Sequence, residues 1–250
     1  MKTHPKTPVA RLTALLALLL PLTAAAFELK PMTETFEPSG RGVNRTFEVR
    51  NDLDEEVAVT MTIKARSVAT DGTETLKDTA DFAMIPTQIL LKSKSAQVVR
   101  VRWQGDSKLG SERSYRIIAE QVPLKRAAAR PAGPSMAIKM ILRFGGTIYV
   151  APVQAAADVV VASAGAVQTA QGTMLELLLE NRGTRHAILE QPSLSVKAGE
   201  VSRQVSEADV SKALAGENLL AGASRRVRLP WPSGLPVGPV DSKLNATFLR

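Results

Sequence analysis

MAIKMILRFGGTIYVAP, residues 136–152, opens with a strict period of two. Met136, Ile138, Met140, Leu142 and Phe144 fall on one side, and Ala137, Lys139, Ile141, Arg143 and Gly145 on the other. Successive side chains of a strand point to opposite faces, so the spacing predicts a β-strand with one strongly apolar face. Ahead of it lies LKRAAARPAGPS, residues 124–135, which is basic, carries Pro and Gly, and shows neither helical nor strand periodicity. Two readings fit this arrangement. The apolar row fills the protein's own core, the common case for such a row, or a strand carried behind a long loop is lent to a partner.

Strand patterns continue upstream. Phe27-Glu28-Leu29, Thr46 to Arg50, Val57 to Ile63, Gln97 to Trp103 and Tyr115 to Val122 each alternate or are rich in β-branched residues. Asp71-Gly72 is a strong turn dipeptide. Phe82, Met84, Ile89 and Leu91 flank Pro86, which predicts an edge or a bend, because proline cannot donate to a ladder. Pro123 and Pro152 stop the two strands that precede them. Short strands broken by turns, with almost no helical period, predict an all-β sandwich. Gln154-Ala155-Ala156-Ala157 is a small-residue joint, and a second sandwich is expected beyond it. In that half Met174 to Glu180, Ile188-Leu189, Leu194 to Val196, Ser224 to Pro230 and Leu244 to Leu249 read as strands, and Ser206 to Ala215 as a short helix capped by Ser206. No internal repeat of fixed period stands out.

The first 26 residues read as an export signal rather than as part of the fold. Lys2, Lys6 and Arg11 form a positive start, Leu12 to Leu22 a short leucine-rich core, and Ala24-Ala25-Ala26 a small-residue cleavage pattern before Phe27. The apolar run is short for a membrane span, and no later run is longer. Removal of 26 residues from 250 leaves 224, room for two domains of roughly 100 residues each. The segment carries three cations and no acid, so the formal charge falls from +8 to +5. The expected divisions are 1–26 as signal, 27–152 as a first sandwich and 153–250 as a second.

Composition removes several classes of function. No cysteine is present, which excludes thiol nucleophiles and disulfides and leaves stability to hydrophobic cores. Aromatics are 4% of residues and the cations are scattered, a poor match to a nucleic-acid surface. His186, the single histidine after the leader, sits in a turn-like NRGTRH segment and reads as a surface residue. No metal-ligand spacing, phosphate-binding glycine loop or Gly-x-Ser-x-Gly elbow is present, so neither a cofactor nor an enzyme is expected.

Taken in order, the segments resemble a periplasmic chaperone of the chaperone–usher pilus pathway. The resembling residues are Phe27-Glu28-Leu29 with Pro31, Phe47-x-Val49-x-Asn51, Asp81-Phe82, Ile85-Pro86, Ile89 to Val101, Tyr115-Arg116-Ile117, Gln121-Val122-Pro123 and Ile148 to Pro152. In the second half only Leu175 to Asn181 and the strand ending Arg228-Leu229-Pro230 look similar. The resemblance implies two immunoglobulin-like sandwiches set in an L, in the periplasm, with pilus subunits and an outer-membrane usher as partners. It also implies that the last strand of the first sandwich is donated to a subunit that lacks a strand of its own. Aligned back from Pro152, the donor positions are Ile138, Met140 and Leu142, with Met136 extending the row. The resemblance therefore favours lending over self-burial, and such an exposed row is expected to favour self-association when no subunit is bound.

One departure concerns charge. Members of this family anchor the subunit's terminal carboxylate with a basic pair, but the aligned positions are Thr33 and Thr147 here. Lys30, Lys139 and Arg143 are the nearest candidates for a relocated anchor, Arg143 from the face opposite the apolar row. The rival readings are a secreted structural or adhesive β-sandwich subunit, which would keep the row buried, and a hydrolase built on a sandwich.

Overall fold

The computed structural model describes residues 27–124 and 141–249. The expected signal at 1–26, most of the 124–135 loop, and Met136, Ile138, Lys139 and Met140 lie outside the described residues.

The first half builds ten strands: β1 (Phe27–Lys30), β2 (Thr33–Phe36), β3 (Asn44–Asn51), β4 (Val57–Val68), β5 (Glu74–Asp78), β6 (Phe82–Ile85), β7 (Gln88–Leu91), β8 (Ala96–Trp103), β9 (Arg113–Val122) and β10 (Arg143–Val150). One sheet runs β1-β3-β8-β6, and the other runs β2-β10-β9-β4-β5 with β7 also on β4. Proline explains the split between β6 and β7. The chain leaves one sheet at Ile85, passes Pro86, and joins the other at Gln88, so the expected bend is a change of sheet.

Between the sheets lies an aromatic-rich core of Phe27, Phe36, Phe47, Trp103 and Tyr115 with the aliphatic rows of β3, β4, β8 and β9. Phe82 packs edge-on against Phe36, Trp103 and Tyr115 at ring-centroid distances of 4.9–5.4 Å, the geometry that ring quadrupoles favour. Tyr115 donates to the Asp81 carboxylate at 2.6 Å. Burial, and then that bond, push its hydroxyl pKa upward.

The second half adds β11 (Val159–Thr169), β12 (Gly172–Asn181), β13 (Ala187–Ala198), β14 (Val201–Gln204), α1 (Glu207–Leu214), β15 (Asn218–Leu219), β16 (Ser224–Pro230) and β17 (Asp241–Leu249). One sheet is β11-β12-β16, and β13 pairs with β14, β15 and β17 in the other. Leucine dominates this core: Leu175, Leu177, Leu179, Leu189, Leu214 and Leu229 are all buried. Two expectations change here. The two short strands expected at 188–189 and 194–196 are one strand, β13, with an irregularity between Glu190 and Ser193. Ser206 does precede α1, but its side chain makes no capping bond.

A buried asparagine at the end of a core strand recurs in both halves. In the first, Asn51 Nδ2 donates to the carbonyls of Glu55 at 2.7 Å and Lys92 at 2.9 Å, and Oδ1 accepts from Leu53 N at 3.0 Å. In the second, Asn181 Nδ2 donates to Arg185 O at 2.7 Å and Leu219 O at 3.1 Å, and Oδ1 accepts from Gly183 N at 3.0 Å. An amide can donate and accept at once, so it ties two turns to one strand end where backbone groups would otherwise be orphaned.

Candidate functional site

β10 presents two faces. Leu142, just ahead of it, and Phe144 are half-buried against the first core, and Phe144 meets Phe27 edge-on at 4.8 Å. The expected strand from Met136 is described only from Arg143 onward. Leu142 still pairs with β9, its carbonyl accepting from Gln121 N at 2.9 Å. Of the four donor-row residues, Leu142 alone can therefore be placed, at the inner end of the row.

The opposite face carries Arg143, Thr147 and Tyr149. Register fixes a row across this sheet: Thr33 lies beside Thr147, Thr147 beside Arg116, and Arg116 beside Lys64. The two threonines that replace the expected basic pair are thus neighbours, and a cation stands next to them. Arg116 Nη1 donates to Thr147 Oγ1 at 2.5 Å, and its Nε and Nη2 donate to Glu74 at 3.1 and 2.8 Å. Arg66, whose side chain is 9% exposed, bonds the same Glu74 carboxylate through Nε. The hydrogen bond from Arg116, backed by the one from Arg66, holds the Glu74 pKa below its ordinary value. Two guanidiniums on one carboxylate leave a net charge of +1.

The sequence candidates for the anchor separate here. Lys30 belongs to β1 in the other sheet and pairs with Glu28 at 2.9 Å. Arg143 shares the face of Thr147 but lies four residues along, roughly 13 Å by strand rise, and reaches Glu120 at 3.5 Å. Arg116 is not among the sequence candidates, which all lie on or near the strands expected to carry the anchor or the apolar row. Its signal was present in Tyr115-Arg116-Ile117, where the arginine takes the outward position of an alternating strand.

The same face meets the second half of the chain. Tyr149 stacks on His186 at 3.7 Å between ring centroids and 5° between planes. His186 Nδ1 lies 2.8 Å from the Glu112 carboxylate, which also accepts from the His186 backbone N–H at 3.1 Å. His186 is therefore buried, 5% exposed, and not the surface residue expected. The hairpin of β4 and β5 docks nearby, with Thr70 O accepting from Arg226 N at 2.7 Å. Gly72, at φ +91°, passes so near Arg225 that a Cβ would sit 1.7 Å from its guanidinium. A cleft of about 500 Å³ opens between the halves, lined by Arg66, Asp81, Glu112, Arg113 and Ala221 among others.

Among the described residues no cluster of histidine and carboxylate side chains is fit to hold a metal ion. No described helix is long and apolar enough to cross a membrane.

Comparison with known proteins gives a consistent answer. Residues 39–154 match the family model described as pili and flagellar-assembly chaperone, PapD N-terminal domain. No curated protein matches the sequence. Solved structures match along most of the chain at low identity. In the CsuC–CsuE chaperone–tip adhesion subunit pre-assembly complex from archaic chaperone–usher Csu pili of Acinetobacter baumannii, the matched chain is 14% identical with a TM-score of 0.57, covering 89% of this chain and 98% of that one. The class 5 fimbriae chaperone CfaA is 13% identical with a TM-score of 0.53, covering 89% and 100%. The Salmonella enterica SafA pilin–SafB chaperone complex gives 15% identity and a TM-score of 0.51, covering 90% and 91%. At these identities the likeness establishes the shared fold of two β-sandwiches.

Proposed function

The chain carries the N-terminal domain of the pili and flagellar-assembly chaperones, and from that premise we propose that it binds pilus subunits in the periplasm and passes them to an outer-membrane usher. On this reading residues 1–26 are the export signal, 27–152 the strand-donating sandwich and 153–250 the second sandwich. The observation that carries it is the family match over residues 39–154, which spans the whole apolar row from Met136 to Phe144. Fold neighbours described as chaperones bound to a pilin and to a tip subunit support it.

The chemistry needs no cofactor and no catalytic group. A subunit short of one strand has unpaired backbone groups and an open apolar groove, both costly in water. Met136, Ile138, Met140 and Leu142 enter that groove while the strand's backbone completes the ladder. Each side chain buried contributes roughly 1.5–3 kcal/mol, and ordering of the segment offsets part of it. Methionine at two of the four positions suits clients of differing shape, because its thioether chain adapts.

Arg116 takes the role of carboxylate anchor. It stands beside Thr147, one strand further from Thr33, holds surplus positive charge with Arg66, and faces the cleft side of the sheet. The test is co-expression with a pilus subunit and pull-down on a tag at the end of this chain. Wild type should retain the subunit and Met140→Asp should lose it while remaining folded. Arg116→Ala should shorten the lifetime of the complex by about tenfold or more, the worth of one hydrogen bond to a charged group. Full retention by Met140→Asp would overturn strand donation; unchanged lifetime in Arg116→Ala would overturn the anchor alone.

A further inference from the structure

The outer face of the β1-β3-β8-β6 sheet, on the far side of the first sandwich from Arg116, carries charge that the reading above does not use. β8 runs between β3 and β6. Val99, Val101 and Trp103 point into the core, so Val98, Arg100 and Arg102 point out. Register sets Arg100 between Thr46 and Ile85, and Arg102 between Asn44 and Ala83. Ile85 is 73% exposed and Val98 48%. Ile85, Arg100 and Arg102, together with Arg45 and Glu34, border an open groove of about 760 Å³. Glu34 is already paired with Arg45 at 3.0 Å. Among the described residues no carboxylate pairs with Arg100 or Arg102.

An internal control shows that this is not the chain's habit. Arg226-Val227-Arg228 on β16 repeats the Arg-Val-Arg arrangement of Arg100-Val101-Arg102. There Glu176 on β12 takes both arginines, at 3.6 and 2.8 Å. The β16 pair shares a carboxylate within the fold and the β8 pair does not.

The geometry points to the β8 face as a docking surface for an extended, carboxylate-bearing segment of a partner protein. Arg100 and Arg102 are about 6.6 Å apart along the strand. Alternate side chains of any extended segment share that spacing, so two acidic residues two apart reach both guanidiniums at once, each as a charge-assisted bond. Apolar side chains beside them cover Ile85 and Val98, which otherwise stand in water. Guanidinium, with its planar fork of donors, suits carboxylate better than an ammonium would. The surface is independent of subunit capture, which uses other strands and the other sheet.

Fluorescence anisotropy on the full chain at low ionic strength tests this. The probe is a labelled hexapeptide alternating leucine with glutamate; a leucine–glutamine hexapeptide is the control. Saturable binding of the glutamate probe, at least tenfold weaker in Arg100→Gln/Arg102→Gln and unchanged in Arg226→Gln/Arg228→Gln, is the expected result. Both doubles remove the same charge, so equal weakening would mean net charge alone and would overturn the proposal. So would absence of saturable binding, equal binding of the glutamine probe, or attachment to phosphatidylglycerol vesicles without peptide binding. Amide shifts in the wild-type chain give a second readout that needs no variant. Perturbations centred on residues 83–85 and 98–102 support the docking surface, and perturbations elsewhere refute it.

Discussion

The two sandwiches use the same devices and finish them differently. Each ends a core strand in a buried asparagine, Asn51 in Phe47-x-Val49-x-Asn51 and Asn181 in Leu177-x-Leu179-x-Asn181. Each carries an outward Arg-Val-Arg strand. The second sandwich closes on itself: leucines fill its core, α1 packs against that core, and Glu176 bridges its arginine pair. The first leaves valences open, with surplus charge at Arg116 and Arg66, bare guanidiniums on β8, and a sequence ahead of its last strand that carries an apolar row. The difference singles out the half to which the proposal assigns partner binding. The contact between the second half and the first is built from Glu112, His186 and Tyr149 among others.

Removing the shared device should have the largest effect. Asn51→Ala removes three hydrogen bonds, to the Glu55 and Lys92 carbonyls and from the Leu53 N–H, a loss of about 3 kcal/mol. Asn181→Ala should cost a similar amount in the other half. Urea unfolding followed by Trp103 fluorescence in a Trp231→Phe background should report the first change strongly and the second weakly; equal response would mean that the halves unfold as one unit.

The junction comes next. Glu112→Ala strips the His186 ring and backbone N–H of their acceptor in a buried setting, and about 2 kcal/mol of coupling should go with it. Calorimetry should then resolve two transitions further apart than in wild type. A single unshifted transition would show that the contact does not couple the halves.

Smaller effects concern protonation. The Tyr115 hydroxyl pKa is raised in the fold, so the stability its O–H bond supplies is complete below about pH 10, the unfolded value, and is lost as pH rises beyond it. Tyr115→Phe should flatten the alkaline limb of the stability curve and cost about 1 kcal/mol near neutrality. Glu74 behaves in the opposite sense. Its pKa is lowered, so its contribution is complete above the unfolded value of about 4.3 and fades as pH falls through the folded one. Glu74→Gln should weaken that acid dependence; an unchanged acid limb would separate Glu74 from the guanidiniums it bonds. Least of all, Glu176→Gln should shift stability by about 0.5 kcal/mol, as a half-exposed surface pair does. It would also convert the β16 pair into a copy of the β8 pair.

How much of this was legible depended on which pattern each segment had to show. β4 and β8 bury one face, so alternation revealed them, while β9, buried on both faces along residues 114–119, showed as an apolar run. β11 also lies in a sheet, yet its run Ala162-Ser163-Ala164-Gly165-Ala166 is too small to contrast inside with outside. β5 is a hairpin arm exposed on most of its length, so burial imposed no period on Glu74 to Asp78. β13 read as two strands because Gln191-Pro192, with Gln191 at φ +47°, interrupts it. His186 was misread for a different reason: its partner Glu112 is 74 positions away, and a local pattern carries no trace of such a contact. Arg116 lay between the two cases, since its outward position was readable but its threonine neighbour was not.

Strand donation is tested most directly by amide hydrogen exchange over residues 136–144 before and after adding a pilus subunit. Exchange there should slow by orders of magnitude in the complex, in the alternating pattern of a new ladder, while residues 172–181 stay unchanged. If a stable complex forms and exchange over 136–144 does not change, the subunit is held by some other surface and the account is wrong.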